Sequence, residues 1–222
     1  MSAVVAVVSG GLDSAVLAHH LRSERWDVRL LSFDYGQRHI TELDHARKLA
    51  AALGARHDVV DLSSVGRLLT GSALTDDDVD VPDGHYTDDS MRSTVVANRN
   101  AIFVNVAVGV AAAEGAAAVA VGVHAGDHPI YPDCRPQFVD AAQHLARVAN
   151  EGFVADDFAV LAPFLQWSKA DIVRRGAELD VPFADTWSCY KGGDRHCGTC
   201  GTCTERREAF AVAGVADPTE YA

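Results

Sequence analysis

Runs of small and branched apolar residues at Ala3–Val8, Val28–Asp34, Asp58–Leu62, Ala117–Val123 and Ala159–Leu161 show little polar alternation. A strand with one wet face alternates apolar and polar residues, whereas a strand without alternation is covered on both faces. Between these runs lie stretches with the helical period: Ser14–Glu24, Glu42–Leu53 closed by Gly54, Ser64–Leu69, Asn98–Ala113, Pro136–Asn150 and Lys169–Leu179. Thr41-x-x-Asp44 and Ser168-x-x-Asp171 read as capping boxes that start two of these helices. Strands that alternate with helices and are buried on both faces form a doubly wound parallel α/β sheet. Ligands of such sheets bind beyond the carboxyl ends of the strands, near the point where strand order reverses. The loops after the first, second and fifth strands are therefore the places to look for chemistry.

The 222 residues suit one domain of ordinary size, and 48% of them are apolar, enough for a real core. They carry 19 Lys and Arg against 31 Asp and Glu, a net charge of −12. That balance argues against a protein built to grip a nucleic-acid backbone. It leaves small anions open, because backbone amides bind phosphate without net positive charge. The opening MSAVVAVVSGG has no basic segment or small-residue cleavage site, so it reads as a buried strand and not as a signal peptide. The longest apolar tract, Ala101–Val123, is broken by Asn105, Glu114 and two glycines. It reads as helix then strand, and no membrane association is expected. Four of the five cysteines fall between 189 and 203, the pattern of a cytoplasmic metal-holding protein and not of a secreted disulfide scaffold.

Ser9-Gly10-Gly11-Leu12-Asp13-Ser14 follows the first strand directly and opens a helix. Consecutive glycines there permit backbone conformations that turn N–H groups inward, and the helix N-terminus adds partial positive charge. The candidate pyrophosphate cradle comprises Val8, Ser9, Gly10, Gly11, Leu12, Asp13, Ser14, Ala15, Val16, Leu17 and Ala18. Ser9 and Ser14 offer hydroxyls, and Asp13 is a candidate holder of Mg2+. A tight strand-to-helix turn would need no ligand, but the full string in this setting favours an anion. The usual phosphate loop, with its lysine after the glycines, is absent. The string resembles the PP-loop, SGGxDS, at every specified position. That resemblance implies ATP cleaved between its α- and β-phosphates, adenylation of a carbonyl or amide oxygen, and displacement of AMP by a nitrogen or sulfur nucleophile.

Cys189-x7-Cys197-x2-Cys200-x2-Cys203 groups four thiols that can surround one tetrahedral Zn2+ in a closed, structural site. An iron–sulfur cluster is the rival, since it is also held by closely spaced cysteines. Zinc is preferred because four local thiolates saturate it and leave no open chemistry. His196 is read as a bystander.

With the two ends stand Asp34-Tyr35-Gly36-Gln37-Arg38-His39, Thr94-Val95-Val96-Ala97-Asn98-Arg99-Asn100, Gly122-Val123-His124-Ala125-Gly126-Asp127, Tyr131-Pro132-Asp133-Cys134-Arg135 and Trp167-Ser168-Lys169-Ala170-Asp171. Together these resemble the 7-cyano-7-deazaguanine synthase family of PP-loop ATPases over essentially the whole chain. The family usually has proline where this chain has Ala97. The resemblance implies the adenine nucleotide alpha hydrolase-like α/β fold, with a nucleotide-binding domain at 1–185 and a zinc-binding subdomain at 186–222 packed on it. It implies a homodimer and a ligase that uses ATP, Mg2+, 7-carboxy-7-deazaguanine and ammonia. Two adenylations, of the carboxylate and then of the amide, would give the nitrile, two AMP and two pyrophosphates. No side-chain nucleophile is required, and no Ser-His-Asp or Cys-His triad is evident.

Asp13, Arg99 and Lys169 are the catalytic candidates, the last two as phosphate contacts at helix starts. On resemblance and position, Asp127 and Asp133 would accept the N–H donors of a guanine-like edge, and Arg135 would hold the substrate carboxylate. Cys134, without an identifiable base, reads as buried and inert. His39, His124 and His128 lie in candidate site loops, whereas His19, His20, His45 and His144 read as surface or core positions. The Asp-rich stretch Asp76–Ser93, including Asp88-Asp89, reads as solvated loop charge and as a candidate lid. Two other readings stay open: a paralogue that joins the activated deazaguanine to another amine, and a zinc-containing nucleotide sensor without turnover.

Overall fold

Five parallel strands form one sheet in the order β3-β2-β1-β4-β5. In the computed structural model these are β1 (Ala3–Val7), β2 (Asp27–Asp34), β3 (His57–Asp61), β4 (Ala118–Ala120) and β5 (Ala159–Leu161). The structure describes residues 1–86 and 89–222. The chain steps outward from β1 to β2 and β3, then returns to the far side of β1 with β4 and β5. The reversal therefore falls between β1 and β4, which are paired from Val4–Ala118 to Ala6–Ala120. This is the doubly wound sheet expected from the unalternating strands.

Helices α1 (Leu12–Ser23), α2 (Glu42–Leu53) and α6 (Lys169–Glu178) cover one face. Their buried side chains, among them Leu12, Leu17, Leu21, Leu49 and Ile172, pack with Val4, Ala6, Val28 and Leu30 of the sheet. Helices α4 (Arg99–Glu114) and α5 (Pro136–Ala149) cover the other, where Val104, Ala107, Val108, Val139 and Ala146 meet Val5, Leu31, Phe33 and Val119. A one-turn helix, α3 (Ser63–Gly66), follows β3. Edge strand β3 is only partly covered, so its Asp58 and Asp61 remain at the surface.

The Ser168 capping box forms: its hydroxyl accepts the Asp171 N–H and the Asp171 carboxylate accepts the Ser168 N–H. The Thr41 box does not. Thr41 is already helical, at φ −53° and ψ −23°, because a turn beginning at His39 leads into α2, and its side chain caps nothing. The expected helices end at Leu179, but the structure adds α7 (Gly201–Ala213) directly after the cysteine cluster. Gly201 and the polar residues after it conceal that start. Packing supplies what propensity lacks: Phe210 meets Phe183 edge-on at 4.9 Å, and α7 lies along α6. Among the described residues no helix is long and apolar enough to cross a membrane.

The Asp76–Ser93 stretch includes Thr87 and Asp88, which lie outside the described residues. Its other parts are tied down, with Arg38 donating to the carbonyls of Asp76 and Val79 and Lys191 paired with Asp83.

Arg206 on α7 is fully buried and holds the carboxy-terminal segment together. It pairs with Asp217 at 3.2 Å and donates to Thr186 Oγ1 at 2.7 Å and to the Phe183 carbonyl at 3.0 Å. Arg206→Ala leaves those acceptors and a mostly buried carboxylate without a partner. It should cost about 3–5 kcal/mol of stability, read as a lowered urea midpoint.

Candidate active site

The strand reversal opens a cavity of about 210 Å3 at the carboxyl ends of β1, β2 and β4. Residues 9–14 form its floor. Gly10 takes φ +94°, and a Cβ there would stand 2.1 Å from the Glu42 carbonyl oxygen, so the loop presses against α2 at a distance only glycine allows. Ser14 Oγ receives the N–H groups of Ser9 and Gly10, each at 3.2 Å, and donates to the Gly11 carbonyl. These N–H groups converge on a hydroxyl at the amino end of α1, beside a helix terminus that suits an anion.

One wall is a charged cluster. Lys169, first residue of α6, places Nζ 2.5 Å from Asp13 Oδ2 and 3.2 Å from Glu205 Oε2. His124 Nε2 lies 3.4 Å from Lys169 Nζ and 3.5 Å from Asp127 Oδ1. Burial by itself would raise Asp13, but the charges of Lys169 and His124 overcome it and hold the carboxyl below its usual range. Burial opposes the charge on Lys169 too, yet Asp13, Glu205 and Asp127 more than restore it. Glu205 is raised, chiefly by burial. Asp13 Oδ1 is buried with no hydrogen-bond partner among the described residues, an oxygen open to a further ligand.

A second wall gathers around Arg99, where α4 begins. Burial disfavours its charge, but Tyr35, Tyr190 and Asp133 outweigh that, and the guanidinium hydrogen-bonds the Tyr35 hydroxyl. Glu42, His39, Tyr131 and Cys134 complete this side. Burial drives the Cys134 thiol far above its normal range, so it stays protonated and inert, as expected.

The sites expected for substrate divide. Asp127 lines the cavity, where it accepts the Tyr86 hydroxyl at 3.0 Å and the His124 N–H at 3.0 Å. Asp133 and Arg135 do not line it. The Asp133 carboxylate accepts the Asn100 N–H at 2.9 Å and so anchors the start of α4, and Arg135 donates to the His128 carbonyl at 2.8 Å. Asp133 is thus spent on the start of α4 and Arg135 on its own loop. Among the described residues, the Lys and Arg side chains lining the cavity are Lys169 and Arg99.

The four cysteines meet beside this cavity, with all Sγ atoms within 4.8 Å of one another. Tetrahedral Zn–S bonds of about 2.3 Å put thiolates about 3.8 Å apart. The Cys197–Cys203 separation is 3.9 Å. An iron–sulfur cluster binds each thiolate to a separate iron and spreads them more widely. N–H groups of Cys197, Thr199 and Cys200 point at the sulfurs. His196 is not part of the cluster: its Nε2 accepts the Ser188 N–H at 2.9 Å, and its ring packs on Trp187. The metal-site segment also lines the cavity through Trp187, Ser188, Tyr190, Thr202 and Glu205, and the Trp187 N–H reaches the Gly10 carbonyl at 2.9 Å.

Glu205, Glu42, Tyr190 and Tyr86 are cavity residues that motif reading did not single out. The sequence holds one faint signal for Glu205: it lies three residues after Thr202, on the same helical face.

This loop, sheet and switch-point cavity define the PP-loop ATPase fold. Residues 3–214 match the family model described as queuosine biosynthesis protein QueC, and the chain belongs to that family. It is similar to 7-cyano-7-deazaguanine synthases from Rhizobium rhizogenes, at 58% identity, and from Rhizobium meliloti, at 60%. Each alignment runs over 217 residues and covers 98% of this chain and 91% of the relative. Among solved structures it is similar to NMN synthetase from Francisella tularensis, with a TM-score of 0.51 and 16% identity over 96% of this chain and 77% of that one. It is similar as well to a predicted subunit of tRNA methyltransferase from Methanocaldococcus jannaschii, with a TM-score of 0.51 and 15% identity over 80% of this chain and 75% of that one. At such identities the likeness is one of fold alone.

Lys169→Met keeps most of the aliphatic stem and removes the cation between Asp13 and Glu205. ATP cleavage to AMP should fall by about 10²-fold or more in a nucleotide-release assay.

Proposed function

We propose that the chain is a C–N bond-forming ligase that converts 7-carboxy-7-deazaguanine and ammonia to 7-cyano-7-deazaguanine, with two ATP cleaved to two AMP and two pyrophosphates. One observation carries this reading: the SGGLDS loop, Arg99 and Lys169 converge on one cavity at the strand reversal. The names of the relatives, at about 58–60% identity over nearly the whole chain, point the same way.

The loop N–H groups and the α1 terminus hold the departing pyrophosphate, and Val8 to Ala18 supply the strand end and helix turns that set them. A carboxylate oxygen of the substrate attacks the α-phosphorus. Lys169 and Arg99, both kept charged, oppose the negative charge that builds there. Ammonia then displaces AMP to give the amide, whose oxygen is adenylated in turn, and loss of the second AMP leaves the nitrile. Of the residues expected to hold substrate, Asp127 is placed to accept N–H donors of the deazaguanine. With Arg135 turned away, the cavity cation left for the substrate carboxylate is Arg99.

Asp13, whose Oδ1 has no hydrogen-bond partner among the described residues, offers that oxygen to a hard cation. Mg2+ bound there with ATP would neutralise phosphate charge. The cysteine spacing fits a single Zn2+, held by Cys189, Cys197, Cys200 and Cys203 in a structural role. We read residues 1–185 as the nucleotide-binding domain and 186–222 as the metal-binding subdomain packed on it. The protein would work as a cytoplasmic homodimer without stable nucleic-acid or membrane binding.

Purified protein given the acid, ammonium, Mg2+ and ATP should yield the nitrile by mass spectrometry, with two AMP for each product. AMP without nitrile would mean a different acceptor, and nucleotide bound but unchanged would mean a sensor. Elemental analysis should find zinc at one ion per chain; iron in its place would contradict the metal assignment.

A further inference from the structure

Ammonia attacks an adenylate only as NH3, whereas near neutral pH it is present mostly as ammonium. A site that uses ammonium therefore needs acceptors to hold the cation and a base to take its proton. Beside Arg99 the cavity wall holds two such groups that the steps above leave unused. Glu42 is buried, and its Oε1 accepts Gln37 Nε2 at 3.1 Å. Gln37 is itself locked, donating to the Phe33 carbonyl and accepting the Tyr35 N–H. His39 is 4% exposed, with Nε2 3.6 Å from Glu42 Oε1 and Nδ1 buried without a hydrogen-bond partner among the described residues. Both line the cavity, and the Tyr190 ring packs against His39 at 5.2 Å.

We propose, building on the ligase reading, that Glu42 and His39 form an ammonium-binding site in the cavity wall, and that Glu42 is the general base that releases NH3 toward the adenylated carboxylate.

Burial pushes His39 down to about 3, so its imidazole is neutral and one ring nitrogen is a bare acceptor. Burial pushes Glu42 up to about 8, opposed by the Gln37 hydrogen bond and the Arg99 charge. A base of that strength suits proton transfer from ammonium. The ionisable groups around Glu42 are His39 on the turn leading into its own helix, Tyr35 after β2, Arg99 on α4 and Tyr190 from the metal-site segment.

In the step, the Glu42 carboxylate takes one proton from ammonium and becomes the acid. The nitrogen lone pair then forms the bond to the acyl carbon, and the C–O bond to AMP breaks with its electron pair on the phosphate. A second proton leaves the nitrogen on that phosphate, which gives the neutral amide.

The test separates two half-reactions: acid-dependent exchange of labelled pyrophosphate into ATP, which needs no ammonia, and amide formation from ammonium chloride. In Glu42→Gln, amide formation should fall by about 10²-fold or more at pH 7 while exchange persists. At a fixed total of ammonium the wild-type rate should rise with pH along a limb that ends near 8, once Glu42 has lost its proton. The variant, dependent on free NH3 alone, should go on rising past that point and so be rescued at higher pH. Glu42→Asp, which keeps a carboxyl, should retain the limb at a reduced rate, so a packing defect in the Gln variant is distinguishable. Equal loss of exchange and amide formation in Glu42→Gln, or an unchanged amide rate, would overturn the proposal. Absence of exchange in the wild-type protein would instead overturn the ligase reading beneath it.

Discussion

The buried ammonium of Lys169 ties three distant parts of the chain together. Removing such a cation from water costs several kcal/mol unless carboxylates meet it, so the fold must bring them to it. Asp13 comes from the loop after β1, Lys169 from the start of α6 and Glu205 from α7, with His124 from the loop after β4 between them. Those elements meet only because the sheet reverses order between β1 and β4. The same pairing keeps Asp13 ionised and Lys169 charged, which is the state an adenylating site needs.

The cysteine cluster shares in this arrangement. Cys189 stands between Ser188 and Tyr190, and Cys203 lies two residues before Glu205, so the ligand set fixes backbone that also walls the cavity. The Trp187 N–H to Gly10 carbonyl bond joins that segment directly to the anion loop. A metal here would set the distance between Glu205 and Lys169 without touching a reactant. Arg206 does the same from the other side of α7, holding Phe183 and Thr186 against the helix.

What the sequence discloses follows from how local each signal is. The strands, the SGGLDS loop, the Ser168 cap and the cysteine spacing are all written in short stretches of sequence, and each appears near where its pattern puts it, although β4 stops at Ala120 and not at Val123. The Thr41 box failed because a turn from His39 had already made that residue helical. Helix α7 was hidden by a glycine and cysteines at its start, and tertiary packing on α6 overrides that weakness. Asp133 and Arg135 sit close to the cavity in sequence, yet backbone partners claim both side chains, the Asn100 N–H at the start of α4 and the His128 carbonyl. Glu42, Tyr190 and Glu205 belong to no motif and meet Arg99 or Lys169 only through the topology of the sheet.

The proposed ligase chemistry turns on a carboxylate oxygen reaching the α-phosphorus of ATP in this cavity. It is tested most directly with the acid carrying 18O in both carboxylate oxygens, followed by mass spectrometry of the released AMP. Adenylation of the acid and then of the amide predicts one 18O in each AMP and none in pyrophosphate. Unlabelled AMP, with the heavy oxygen retained in the organic product or lost to water, would contradict the account.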